Sequence, residues 1–103
     1  MTVVCIYMFA TYYVYIITNT HNTVLYVGLT NNLDARISEH IRQENPKSFS
    51  ARYNLHKLVY FEEHEFIKTA IRREKYIKGK NRKWKVDLIM LKNPEWKDLT
   101  DTL

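Results

Sequence analysis

At 103 residues the chain is long enough for one independent core, spanning residues 1–103, and too short for a catalytic domain beside a separate recognition domain. With 46% apolar and 14% aromatic residues under a net charge of +5, it reads as a folding domain with a basic surface; a disordered polycation is excluded and acidic polymers become the leading partner class. The single cysteine, Cys5, excludes an intramolecular disulfide and a thiolate zinc cluster, so a reducing, cytoplasmic compartment is expected.

Residues 3–17 are apolar almost throughout, yet no basic residue precedes them and they fall short of the ~20 residues a spanning helix needs. Their aromatic and β-branched content favours a buried strand, and no membrane association is expected. Residues 12–17 and 24–29 read as two strands joined by the polar segment 18–23, a β-hairpin. A register symmetric about Thr20 and His21 sets Tyr15 opposite Tyr26 on one face and gathers Val14, Ile16, Leu25 and Val27 on the other.

Asn31 or Asn32 can cap a helix that carries Asp34 in its first turn, buries Leu33, Ile37 and Ile41, and stops before Asn45 and Pro46. Arg36 and His40 flank that stripe one turn apart. A loop or short helical turn over residues 48–54 leads to a third strand at residues 58–61. A helix over residues 66–78 follows, with Gly79 as its stop, and a last helix over residues 82–91 offers Trp84, Leu88 and Leu91 to the core. Asn93 and Pro94 end it and leave Trp96 in an anchored tail.

Between residues 66 and 86 the only carboxylate is Glu74. It falls at helical spacing in line with Ile67, Ala70, Ile71 and Ile77, so it points toward the apolar stripe, where a carboxylate is costly unless paired, hydrogen-bonded or bound to a metal. Around it stand Arg72, Arg73, Lys75, Lys78, Lys80, Arg82, Lys83 and Lys85, eight of the chain's sixteen Lys and Arg, with Tyr76 and Trp84 among them. Such a cluster suits phosphate-backbone binding, with aromatics that can stack on unpaired bases, although it equally describes a solvated helix face over core aromatics.

Taken singly, paired tyrosines on a strand read as hairpin packing, and Arg36 and His40 as surface polar residues. Taken together, Tyr15, Tyr26, Arg36, His40 and Glu74 supply an oxygen base or nucleophile, a phosphate-binding cation, a proton-transfer group and a hard metal ligand, a set that matches phosphodiester hydrolysis. No second histidine follows His64 and Glu65 at zinc-protease spacing, and there is no glycine-rich phosphate loop.

At these residues the chain resembles the GIY-YIG nuclease superfamily, in its small single-domain branch related to the UvrC nuclease domain and to intron homing endonucleases. Tyr13-Val14-Tyr15 stands at the GIY position and Tyr26-Val27-Gly28 at the YIG position, followed by Thr30-Asn31-Asn32-Leu33, Arg36 and His40. Arg73-Glu74-Lys75 matches the segment around the family's metal-binding glutamate, and the likeness extends over about residues 12–99, through Lys78-Gly79 and Asn93-Pro94-Glu95-Trp96. The resemblance implies an α+β fold, a three-stranded antiparallel sheet flanked by helices, and single-metal hydrolysis of DNA with magnesium or manganese held by Glu74. It further implies Tyr15 as general base or water activator, Arg36 as the charge that meets the phosphate and His40 as hydrogen-bonding or proton-relay group. The partners expected are DNA, with branched, damaged and single-stranded forms all open, and a targeting protein. Alternatives are a nucleic-acid-binding module of the same fold with feeble catalysis, or a small RNA-binding protein using the basic cluster. Tyr13 replaces the glycine of the first triplet, and neither Asn81 nor Asn93 is assignable by spacing to the asparagine some relatives use.

Overall fold

The computed structural model describes residues 11–42 and 47–103. Cys5, the first part of the apolar stretch and the expected helix stop at Asn45 and Pro46 lie outside the described residues. Strand β1 (Tyr12–Thr18) is central in a three-stranded antiparallel sheet of order β2-β1-β3, between β2 (Leu25–Thr30) and β3 (Lys57–His64). Its central place explains its composition: Val14 to Ile17 are all buried, on both faces of the sheet. The α+β class and the three-stranded sheet are as the sequence leads one to expect.

The hairpin faces match expectation but its register does not. Tyr15 lies opposite Gly28 and Ile17 opposite Tyr26, a slip of two residues from the symmetric pairing. The cause is the loop. Asn19 Oδ1 accepts from the backbone N–H groups of Thr23 (2.8 Å) and Val24 (3.2 Å), and Asn22 takes a left-handed φ of 57°, which asparagine tolerates better than most residues. A two-residue slip leaves every side chain on its own face, so Tyr15 and Tyr26 still share one and Val14, Ile16 and Val27 the other.

Helix α1 (Leu33–Arg42) starts at Asn32, whose Oδ1 accepts from Ala35 N at 3.1 Å. The short α2 (Phe49–Arg52) is capped by Ser48. Helices α3 (Ile67–Lys78) and α4 (Arg82–Lys92) follow β3, the latter capped by Asn81, and a 3-10 turn (Leu99–Thr102) closes the chain. Among the described residues no helix is long and apolar enough to cross a membrane.

Two clusters fill the two sides of the sheet. Val14, Ile16, Val27, Val59 and Tyr60 pack with Ala70 and Ile77 of α3 and Ile89 of α4, while Tyr15, Ile17, Leu55 and Leu58 pack with Leu33 and Ile37 of α1. Three apolar stripes differ from expectation: on α3 only Ala70 and Ile77 of the expected four are buried, while Ile67 and Ile71 are exposed because they lie outside the arc that docks on the sheet. Ile41 is 46% exposed and His40 takes the inward place, because α1 meets the sheet along positions 33, 37 and 40 rather than 33, 37 and 41. Leu91 is 82% exposed and Ile89 is buried instead, with Trp84 and Leu88 only lapping the cluster's edge. Gly79 ends α3 in ordinary right-handed backbone, with φ −75°, so no left-handed glycine cap is used.

Asn93 is nearly inaccessible and clamps the tail: its Nδ2 donates to the carbonyls of Val59 (3.0 Å) and Lys97 (2.9 Å), and its Oδ1 accepts from Lys97 N. Asn81 and Asn93 thus both have structural partners.

Candidate active site

On the α1 side of the sheet the Tyr15 phenol is 1% exposed, and its oxygen lies 3.0 Å from His40 Nε2, itself almost fully buried on α1. Leu33 and Ile37 anchor that helix two turns and one turn earlier, so burial of the apolar stripe sets the imidazole against the strand. Tyr26 completes the group from β2, its ring edge-on to the same imidazole at 5.8 Å between centroids. Arg36 stands beside the phenol at the protein surface and binds Glu39 Oε2 at 3.0 Å.

Burial pushes the Tyr15 phenol up to about 12; Arg36 opposes this, while the charges of Tyr26 and Glu74 add to it. Burial, and then the Arg36 charge, push His40 down to about 4. Near neutrality the pair is therefore a neutral phenol and a neutral imidazole. An arginine can only donate, so the phenol oxygen accepts from Arg36 and shares a further hydrogen bond with His40 Nε2.

A pH dependence of stability follows. Between about 4 and the ordinary 6.5, unfolded His40 binds a proton that the folded protein excludes, so stability falls as pH drops through this window. On the alkaline side unfolded Tyr15 ionises near 10.0 and the folded residue near 12, so stability falls again as pH rises between them. Thermal melts of the parent and of His40→Gln between pH 4 and 7 should diverge, the parent losing stability more steeply toward acid; parallel curves would show that His40 is free to protonate when folded.

Gly28 explains itself by what lies over it. A Cβ placed there would overlap the Tyr15 phenol at its Cζ and hydroxyl. That ring is buried and hydrogen-bonded, so it has little freedom to swing away. Gly28→Ala should cost about 1–3 kcal/mol through overpacking and should dislodge the phenol from His40; an unchanged melting temperature would show that the ring has room. Tyr13, at the other glycine position of the two triplets, needs no glycine: it is not among the described residues with left-handed backbone, and its ring packs edge-on against Phe61 at 6.3 Å.

Glu74 belongs to the other layer. It lies on α3 between Ala70 and Ile77, its side chain is 18% exposed, and Lys78 Nζ approaches its Oε2 at 3.3 Å. Its charge is nevertheless felt at the Tyr15 phenol, where α3 packs against β2. Among the described residues no group of three or more His, Cys, Asp and Glu is arranged to hold a metal. One hard carboxylate does suit a magnesium-type ion, which keeps several waters and takes further ligands from substrate phosphates, and half-exposed Lys78 is readily displaced.

The eight expected phosphate-binding cations do not form one uniform surface. Arg73 Nε donates to both Glu62 oxygens at 3.0 and 3.2 Å, Arg82 donates to the carbonyls of Asn22 (2.6 Å) and Thr23 (2.9 Å) in the hairpin loop, and Lys83 pairs with Asp87 at 3.0 Å. Arg72 and Lys75 are exposed on α3, Lys85 is partly exposed on α4, and Lys80 Nζ lies 4.4 Å from the centre of the Tyr76 ring.

The Glu62 network escaped the sequence reading. Tyr60 and His64 both bond this carboxylate, at 2.5 and 2.6 Å. Burial alone would raise the Glu62 carboxyl, but these bonds and the Arg73 charge hold it below the usual range. Its signal was present as Tyr60, Glu62 and His64 alternating along one face of β3. The network ties the residue next to Glu74 to the sheet.

Residues 11–87 match the GIY-YIG catalytic domain. The chain is 42% identical over 81 residues to the UPF0213 protein CPE1444 of Clostridium perfringens, covering 79% of this chain and 85% of that protein. It is also similar to the solution structure of the UPF0213 protein BH0048 of Bacillus halodurans, with a TM-score of 0.55 and 27% identity over 88% of this chain and 95% of that one. With Tyr15, Tyr26, Arg36 and His40 gathered on one side of such a sheet, the chain belongs to the GIY-YIG family, whose members are generally endonucleases acting on nucleic acid with a divalent metal.

Proposed function

We propose that the protein is a divalent-metal-dependent DNA endonuclease or nickase, directed to its target by DNA structure or by a partner protein. The observation that carries this reading is the buried 3.0 Å bond between the Tyr15 hydroxyl and His40 Nε2, with Arg36 beside it. A phenol pushed up to about 12 is ionised to only about one part in 10⁵ at neutral pH, so Tyr15 does not act as a preformed tyrosinate. It works instead as a relay. Tyr15 takes a proton from the attacking water while its own proton passes to the neutral imidazole of His40. The new P–O bond forms as the bond to the leaving strand end breaks, and Arg36 meets the charge gathering on the phosphate. Tyr26 holds the imidazole in place by ring contact. Glu74 would hold a magnesium or manganese ion, which when bound supplies further positive charge to the phosphate. Of the cations, Arg72, Lys75, Lys80 and Lys85 are the ones proposed to meet the DNA backbone.

The test is incubation of the purified protein with supercoiled, branched and single-stranded DNA, and with structured RNA, in magnesium, manganese or EDTA. Metal-dependent DNA cuts are expected. Retained binding without cuts under every condition would replace this reading by a catalytically weak binding module, and a preference for RNA alone would move the substrate class.

A further inference from the structure

Next to the site, the chain presents aromatic surface that neither the core nor the relay uses. Phe49 and Tyr53, at the two ends of α2, are 45% and 44% exposed, with ring centroids 4.6 Å apart. Phe49 also stacks on Tyr26 at 5.9 Å and an interplanar angle of 30°, and Tyr26 is the ring that touches His40. An aromatic run therefore leads from the reacting group outward to water, with the Arg52 guanidinium 6.0 Å from the Tyr53 ring centre at its far end. The other exposed aromatic group is arranged differently. Tyr76 and Trp84 meet edge to face, and Lys80 and Arg73 lie over both rings.

We infer that Phe49 and Tyr53 form a stacking platform for unpaired nucleobases of the DNA strand being cut, which deepens the hydrolase reading and rests on it. Exposed rings face water at a cost that stacking on a base would recover, and bases in a duplex have no free face to offer. Three features of the protein fit that occupant: the platform's continuity with the reacting group through Tyr26, its flanking arginine, and the chain's net charge of +5. At about 3.4 Å per stacked nucleotide, the platform is within a few nucleotides of the phosphate that Tyr15 and Arg36 would engage. The substrate class is thus DNA with an unpaired arm beside the cut.

The experiment compares the parent with the Phe49→Leu/Tyr53→Leu double variant, which keeps apolar bulk and removes the π faces. Affinities are measured by fluorescence anisotropy in EDTA for a DNA with a single-stranded arm and for a blunt duplex. The arm-bearing DNA should bind the variant roughly 5- to 150-fold more weakly per lost stack, with duplex affinity and the melting transition unchanged. A 2-aminopurine base in the arm should be quenched by the parent and not by the variant, and Phe49→Leu alone gives the same readout should the double variant fold poorly. Equal weakening on both DNAs, or none on either, overturns the platform. Parent cleavage in magnesium is read separately: stacking-dependent binding without cuts rejects the hydrolase and keeps the platform, and cuts with binding indifferent to leucine reject the platform alone.

Discussion

Tyr15→Phe should slow metal-dependent DNA cleavage by roughly 10²–10⁴-fold, the usual worth of one positioned proton-transfer group. The ring that fills the space over Gly28 is retained, and only the hydroxyl that bonds His40 Nε2, and that the proposed relay uses, is lost. The protein stays folded but weaker. His40 Nε2 is left without its partner in a nearly closed site, which costs about 1–3 kcal/mol. Single-turnover cleavage and a thermal melt of this variant check both halves. Cleavage at the parent rate would remove Tyr15 from the chemistry.

Glu74→Gln should abolish cleavage in magnesium and weaken manganese binding while leaving the fold and DNA binding largely intact. The variant keeps shape and hydrogen bonds and removes only the charge a hard cation needs. The competing view makes Glu74 the partner of a buried cation, whose loss would cost about 3–5 kcal/mol. The structure weighs against that view on two counts. Lys78, at 3.3 Å, is half exposed, and such an i,i+4 surface pair is worth about 0.3–0.5 kcal/mol. Arg73, the neighbouring cation, is already neutralised by Glu62. Strong destabilisation with unchanged manganese affinity would assign Glu74 to the fold.

Much of this arrangement was legible in the sequence, to a depth set by what period and spacing can encode. Alternation along β1 and β2 placed Tyr15 and Tyr26 on one face, because a period of two survives any even slip. Register was not legible, since the hairpin lacks a two-residue turn that would pin it and is closed by the Asn19 side chain instead. On α1 the spacing gave Arg36 and His40 as flanking residues, but only docking of the helix decides whether position 40 or 41 turns inward; the choice of His40 puts the imidazole on the phenol. Ile89 and Leu91 posed the same question on α4, with the buried and exposed roles reversed from expectation. Phe49 and Tyr53 sat in a segment read as a loop or short turn, where no periodicity announces an exposed aromatic pair.

The central claim, that Tyr15 and His40 move one proton as a unit, is tested most directly by a double-mutant cycle on the single-turnover cleavage rate with Tyr15→Phe, His40→Ala and the combined variant. Two groups serving one proton transfer have strongly non-additive effects. The expected result is a large loss for each single variant and little further loss when both are combined. If the two losses multiply in the combined variant, the residues act independently and the relay is wrong.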